Sequence, residues 1–376
     1  MDAELTTVAQ QIERAHTPQD VFGALRGVPA EQLHAARQIF HRLTKVIHPD
    51  RYTQPADQQL AHHTMTRLND LWAEARRQIR SGSYADRAAR TPSIRLTSRR
   101  RTYEVDALIG TDEVCQRYAC RFEIDGAGRL GLFKIARTSG DNDLVQNEAR
   151  VLRQLRADKD LVRLWPFVPE VYDSFLYDDG RTEARQANVV SRVPNVYSLE
   201  EIRAHYPHGV APKDAAWMWR KLLIALGFAH ARGIVHGAVQ PPHILIEPDQ
   251  HGLILDNWLY ALPDPLESGA HLAAIVPVYE AWYPPEVFDK QPALPGFDIL
   301  MGARCLVYLL GGDPLTGKVP ASVPDALASF IRGCLLTVSR PADRPQQAWE
   351  VLTDFTQVIE RLWGRRTFRP FALPAN

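Results

Sequence analysis

Residues 234–246, reading Ile-Val-His-Gly-Ala-Val-Gln-Pro-Pro-His-Ile-Leu-Ile, constrain the fold of this chain more than any other stretch. An apolar run at 217–230 precedes them, with Trp219, Leu222, Leu223, Leu226 and His230 at helix spacing. Ala231-Arg232-Gly233 then breaks that helix. The resulting order is helix, Arg-Gly turn, His, loop and apolar strand, with His236 and His243 carried between two apolar elements.

At 376 residues the chain is too long for one ordinary domain, and two or three are expected. Its 44 Lys and Arg balance its 44 Asp and Glu, which argues against a chain that mainly binds nucleic acid. Cys115, Cys120, Cys305 and Cys334 lack metal-ligand spacing and sit in apolar surroundings, so buried thiols in a reducing compartment are expected. The start Met-Asp-Ala-Glu-Leu has no basic segment leading into an apolar core, and no signal peptide is expected. Apolar runs such as 300–310 are short and interrupted by Arg304, so no membrane span is expected and the location is read as cytoplasmic.

The first module covers residues 1–80. A polar helix is expected over 3–15 and a short helical turn over 20–25. Pro29 suits a first helical turn, where its missing N–H is no loss. Leu33, Ala36, Phe40, Leu43 and Ile47 follow as one apolar stripe, with His34, Arg37, His41, Arg42 and Lys45 turned elsewhere. His48-Pro49-Asp50 ends that helix, because proline disfavours helix in the preceding residue. A second amphipathic helix, about 56–80, presents Leu68, Trp72, Ala75 and Ile79.

Two antiparallel helices joined by His-Pro-Asp, the first with a basic face, resemble the J-domain of DnaJ-type co-chaperones over residues 17–80. The resemblance implies that His48, Pro49, Asp50, Arg37, His41, Arg42 and Lys45 dock on a DnaK-type chaperone and stimulate its ATP hydrolysis. Pro49 fixes the turn, Asp50 offers a directed carboxylate, and the basic stripe steers toward an acidic surface. Nothing after residue 80 resembles the Gly/Phe-rich or zinc modules of general co-chaperones, so a client would be chosen by the rest of the chain.

Residues 81–102 read as a basic linker, with Arg87, Arg90, Arg95, Arg99, Arg100 and Arg101 against the lone acid Asp86. A solvated spacer is the expectation. The alternative is a basic strap on an acidic partner, and it lacks the aromatics a single-strand binder uses.

From 103 onward, strands are expected at 103–108, 114–123 and 129–136, followed by a helix containing Glu148, then strands at 171–177 and 187–192. Phe133-Lys134-Ile135-Ala136 is similar to the V-A-I-K strand of protein kinases, and Glu148 has the spacing of its ion-pair partner. Residues 234–246 resemble the catalytic loop, whose motif is H-R-D-L-x-x-x-N. His236 keeps the His, Gly237 replaces the Arg, Ala238 the catalytic Asp and His243 the metal-binding Asn. Asp256-Asn257-Trp258 resembles D-F-G, Pro284-Pro285-Glu286 resembles A-P-E, and Asp298 and Arg344 match bracing positions. The implied fold class is multidomain: an all-α J-domain helical hairpin, then an α+β protein-kinase-like bilobal domain with lobes at 103–195 and 196–360, then a tail at 361–376.

The resemblance also implies damaged chemistry. The G-x-G-x-x-G loop lets backbone N–H groups approach phosphates, yet only Gly110 remains, followed by acidic Asp112 and Glu113. Ala238 offers no proton acceptor, and removing such a group costs about 10²–10⁴ in rate. His243 is a softer ligand than Mg²⁺ prefers. Gln240 is nearby but is no base. The expectation is a pseudokinase with no required cofactor: Gly110, Lys134, Glu148 and Asp256 hold at most ATP with Mg²⁺, weakly and without turnover. Glu286, Asp298 and Arg344 are structural. The expected role is an adaptor between a DnaK-type ATPase and an unidentified client protein. Two alternatives stand: an atypical phosphoryl or nucleotidyl transferase using Lys134, Glu148 and Asp256, and an interaction scaffold without a chaperone link. In the tail, Trp363, Phe368 and Phe371 are expected to pack while Arg361, Arg365, Arg366 and Arg369 stay wet.

Overall fold

The N-terminal helices form because each has one apolar face to bury. A computed structural model describes residues 2–15, 17–23, 25, 29–80, 84, 94–180, 183–336, 344–365 and 367–373. Ser81, Gly82, Ser83, Asp86, Arg87, Arg90, Asp343 and Arg366 lie outside the described residues. Two compact units emerge: Met1–Thr111 with Gln116–Lys134 and Ser191–Asn195, and Asp112–Cys115 with Ile135–Val190 and Val196–Asn376.

In the first unit, helix α1 (Ala3–Arg14) is followed by α2 (Pro18–Phe22), α3 (Pro29–Ile47) and α4 (Pro55–Arg80). Helix α1 is not the polar helix its composition suggests: Leu5, Ala9 and Ile12 are buried. Three apolar residues on one face suffice, because α4 supplies the surface that covers them. The turn expected at 20–25 is centred earlier, on α2, where Asp20 accepts from the Thr17 N–H at 2.8 Å. Ala36, Leu43 and Ile47 of α3 share one core with Leu68, Trp72, Ala75 and Ile79 of α4. Phe40 stacks on Trp72 at 5.2 Å and Phe22 tilts against it at 5.7 Å, each ring pair adding to simple area burial. After α4 the chain folds back: Tyr84 is buried, and its hydroxyl donates to the Gly23 carbonyl at 2.9 Å.

Strand β1 (Ile94–Thr97) pairs antiparallel with β2 (Thr102–Thr111), matching Leu96 with Tyr103. The spacer reading of 81–102 is therefore corrected from Ile94 onward. Leu96 is buried, and Arg99, Arg100 and Arg101 form the β1–β2 turn, held by Ser98 Oγ accepting the Arg100 and Arg101 N–H groups. Strand β3 (Cys115–Ile124) pairs with β2 through Val105–Cys120, and β4 (Ala127–Ala136) follows.

In the second unit, α5 (Asn142–Leu155) precedes β5 (Val171–Tyr177) and β6 (Arg185–Ser191), which pair antiparallel. Strand β7 (Tyr197–Ser198) leads into α6 (Leu199–His205), whose start is a capping box. The Glu201 carboxylate accepts from the Ser198 N–H at 2.7 Å, and Ser198 Oγ accepts from the Glu201 N–H at 3.1 Å. Helix α7 (Pro212–His230) is buried along most of its length and packs on α9 (Pro295–Leu309) and α11 (Ala348–Trp363). Trp219 of α7 meets Phe355 edge-on at 4.8 Å. After α7 come β8 (Ile234–Val235), β9 (Ile244–Glu247) and β10 (Gly252–Leu255), with β9 central between β10 and β7. Strand β11 (Leu262–Pro263) pairs with β8, and α8 (Pro265–Ser268) and α10 (Asp325–Leu336) complete the helices discussed here. The tail begins at Gly364, because α11 runs to Trp363. Phe371 is buried against Tyr206, while Phe368 stays 64% exposed and Arg369 pairs with Asp214. All four cysteines are free and buried, and burial pushes the Cys120 and Cys334 thiols up to about 12, so they are inert at neutral pH.

Candidate functional site

Two groups of residues carry polar chemistry, one in each unit. The first is the turn between α3 and α4. Helix α3 ends at Ile47, and Pro49–Arg51 form a single 3₁₀ turn. The last carbonyls of α3 would otherwise be orphaned. Arg51 donates to the Lys45 carbonyl at 2.6 Å, and the Tyr52 hydroxyl donates to that of Val46. Those bonds fix the tip from behind and leave its front in water. The His48 side chain is 49% exposed and that of Asp50 89%, with Nδ1 and Oδ2 3.7 Å apart. Arg37, His41, Arg42 and Lys45 are exposed along α3. The arrangement presents a carboxylate beside a run of bases on one rigid hairpin.

The second group is the loop between β8 and β9, and it is closed. Asp298, in the first turn of α9 and fully buried, accepts three donors. These are the His236 N–H at 2.8 Å, the Gly237 N–H at 2.9 Å and His230 Nε2 at 2.9 Å. Gly237 has φ +77, and a Cβ there would lie 2.6 Å from Leu272 Cδ2 and 2.9 Å from the Tyr260 carbonyl oxygen. Glycine is thus required where kinases place an arginine. His236 donates from Nε2 to the Asp256 carbonyl at 2.9 Å and accepts the Ala238 N–H on Nδ1 at 3.2 Å. Burial holds its pKa down at about 4, against the opposing pull of Asp298, so the ring is neutral.

Ala238 is fully buried and offers only a methyl group. Its carbonyl accepts from His243 Nδ1 at 2.7 Å, while the Asn257 amide donates to His243 Nε2 at 2.6 Å. Both ring nitrogens of His243 are therefore engaged by protein. Asp256 follows β10 with 6% exposure, and Asn257 beside it adopts a left-handed φ of +62. Trp258 is fully buried, donates from Nε1 to the Leu255 carbonyl at 2.7 Å and meets the His236 ring at 4.6 Å. A Mg²⁺ ion asks for hard oxygen ligands in octahedral array. Of the two expected ligand positions, Asp256 supplies a carboxylate and His243 has no nitrogen lone pair to spare.

The remaining sequence-derived positions fall as follows. Gly110 lies inside β2, paired with Arg117, without the positive φ of a phosphate-cradling glycine. The acidic side chains of the turn after it are met by donors of the protein. Asp112 Oδ1 accepts the Val114 and Cys115 N–H groups, and Glu113 accepts the Tyr260 hydroxyl at 2.8 Å. Lys134 is 1% exposed and belongs to the first unit; Glu148 is fully buried in the second, where it accepts the Asn188 amide at 3.0 Å. Glu286 pairs with buried Arg344 at 2.9 Å. Gln240 is fully buried. Among the described residues no group of three or more His, Cys, Asp or Glu side chains is placed to hold a metal ion. No helix of the described residues is long and apolar enough to cross a membrane. Sequence reasoning missed Asn257 as the partner of His243 and Tyr260 as the partner of Glu113. The only available signal for the first was an Asn at the position where kinases carry the D-F-G phenylalanine.

Part of the chain is similar to known protein kinases. No family model matches the chain. It is 29% identical over 225 residues to "Serine/threonine-protein kinase PkaA" of Streptomyces coelicolor, covering 54% of this chain and 39% of that protein. It is 35% identical over 196 residues to "CBL-interacting protein kinase 4" of Oryza sativa subsp. japonica, covering 50% of this chain and 39% of that one. It is 28% identical over 114 residues to "Casein kinase II subunit alpha'" of Saccharomyces cerevisiae, covering 30% of this chain and 29% of that protein. The chain thus spans about two-fifths or less of the length of these relatives. This similarity supports a protein-kinase-like domain in part of the chain, and a helical region lies at the N-terminus.

Proposed function

We propose that the chain is an adaptor: its helical module acts as a J-domain on a DnaK-type ATPase, and its kinase-like domain is a pseudokinase that holds a client or partner protein. One observation carries the reading. At the position of the catalytic acid stands a buried methyl group, and both nitrogens of His243 are already hydrogen-bonded within the protein. Position 238 offers no proton acceptor and position 243 no spare ring nitrogen, while His48 and Asp50 face solvent, and these features support the reading. ATP and Mg²⁺, which the kinase relatives bring to mind, fit this site poorly, since one carboxylate remains for a metal. Stimulation of a chaperone's ATP hydrolysis by the purified full chain tests the proposal. Wild type is expected to raise the rate and Asp50→Asn to leave it at the basal value. Equal behaviour of the two proteins refutes the chaperone link, and a function that survives His48→Gln points instead to a plain scaffold.

A second reading rests on Lys134, Glu148 and Asp256, which keep the residue types a phosphoryl or nucleotidyl transferase uses. The kinase names of the relatives favour it. Label transferred from ATP to protein, and lost in Lys134→Ala, would establish this reading. Unchanged melting with ATP and Mg²⁺ or Mn²⁺ would remove it.

A further inference from the structure

The basic stretch read from sequence as a spacer contributes to something more specific. A cavity of about 740 Å³ in the first unit is lined by Arg67 of α4, Arg95 of β1, Arg100 and Arg101 of the following turn, Arg121 of β3 and Arg129 of β4. Its size falls within the range of about 300–1,000 Å³ typical of small-molecule sites. Glu104 and Glu123 are the acids of the lining, which leaves a surplus of four positive charges. Part of the set is already neutralised: Arg121 pairs with Asp106 at 2.7 Å, and Arg95 lies 3.7 Å from Glu104. Arg67 is different. It is 2% exposed, its Nη2 donates to the Ala15 carbonyl at 2.6 Å, and its buried Nε makes no hydrogen bond among the described residues. Burial lowers its pKa, Asp70 and Glu13 partly compensate its charge, and Arg129 opposes it. Those two carboxylates answer this buried charge, and the excess of the cavity lies in the arginines nearer its mouth, Arg95 and Arg100, which are exposed.

We infer that this arginine cavity binds the phosphate chain of a small polyphosphate. Guanidinium forks suit phosphate oxygens in bidentate pairs, and several forks converging from different elements match several phosphates in a row. The lining offers no stacking platform: Phe122, the aromatic ring among its described residues, is buried. A base would therefore add little, and a single-stranded nucleic acid would lack the interleaved rings it uses. The ligand is recognised by its phosphates, whether free or carried by a nucleotide.

Calorimetric titration of the full chain with tripolyphosphate at low salt tests this. One saturable site is expected, at least tenfold tighter than for orthophosphate and weakening as salt rises. Arg95→Ala with Arg100→Ala removes two exposed forks and leaves Arg67, Asp70 and Arg129 in place, and is expected to weaken binding at least tenfold at unchanged melting temperature. ATP matching tripolyphosphate, and losing affinity in the same variant, assigns a nucleotide as the source. Tripolyphosphate binding alone assigns a free phosphate chain. The inference is overturned if tripolyphosphate gives no heat, if the double variant binds as well as wild type, or if a polyglutamate peptide binds more tightly than tripolyphosphate.

Discussion

The turn at His48-Pro49-Asp50 and the loop at 236–243 each join two regular elements, and each carries a histidine and a nearby proline. They end up in opposite environments. At the turn, backbone-directed bonds from Arg51 and Tyr52 anchor the chain from behind while His48 and Asp50 stay wet. In the loop, His236, Ala238, Gln240 and His243 are all buried, and each bond of the two histidines described here goes to protein. A wet turn can change its side chains at little expense in stability and so is free to serve a partner. A sealed loop answers to packing first, and its polar groups serve the fold.

The contrast is sharpest at Asp298. Asp298→Ala leaves three donors without their acceptor in a fully buried site and is expected to destabilise the kinase-like domain by about 3–5 kcal/mol, read by urea unfolding. A loss under about 1 kcal/mol would mean the loop is held by other contacts.

Acid separates the two regions next. His236 titrates near 6.5 when unfolded and about 4 when folded, so its contribution is complete above pH 6.5 and is lost as pH falls through about 4. The difference corresponds to about 3 kcal/mol of stability lost over that window. Asp70 on α4 behaves oppositely: burial raises its carboxyl from 3.8 to about 6, offset by Arg67 and Arg129. Its contribution is complete below pH 3.8 and is lost as pH rises through 6. Hydrogen exchange at pH 7 and pH 5 should show amides at 234–246 less protected in acid and those around Asp70 better protected. Parallel changes in both would break the contrast.

Gly237→Ala places a methyl at φ +77 against Leu272 and the Tyr260 carbonyl, and is expected to cost about 1–3 kcal/mol by thermal melting. A neutral result would show that this backbone can shift. The smallest effect belongs to the tip. Asp50→Asn should change stability by no more than about 0.5 kcal/mol, because its carboxylate is exposed and supports nothing in the core. A larger drop would make Asp50 a structural residue and weaken its proposed role with a partner.

Much of this was legible in local patterns. The stripe Leu33, Ala36, Phe40, Leu43 and Ile47 marks helix α3, and Pro49 marks its end. Alternating runs located β2, β3 and β4 to within a few residues, and Ser198 with Glu201 marked the start of α6. Other features were hidden because they depend on what arrives from far along the chain. Helix α1 looked polar, since three apolar residues count for little until α4 covers them. Strand β1 looked like spacer, since an arginine-rich segment pairs only when β2 offers its edge.

By itself the sequence determined which side chains are present. It put a methyl at 238, an imidazole at 243 and carboxylates at 50 and 298, and it set the periodicities that make helices and strands. Only the tertiary structure decided how those groups are spent. Asn257 lies 14 residues from His243 and Asp298 lies 62 from His236, so their hydrogen bonds exist only once α9 and β10 have packed around the loop. Hydrogen bonding is short-ranged and directional, and whether a polar group is free for chemistry is settled by the neighbours that the fold delivers.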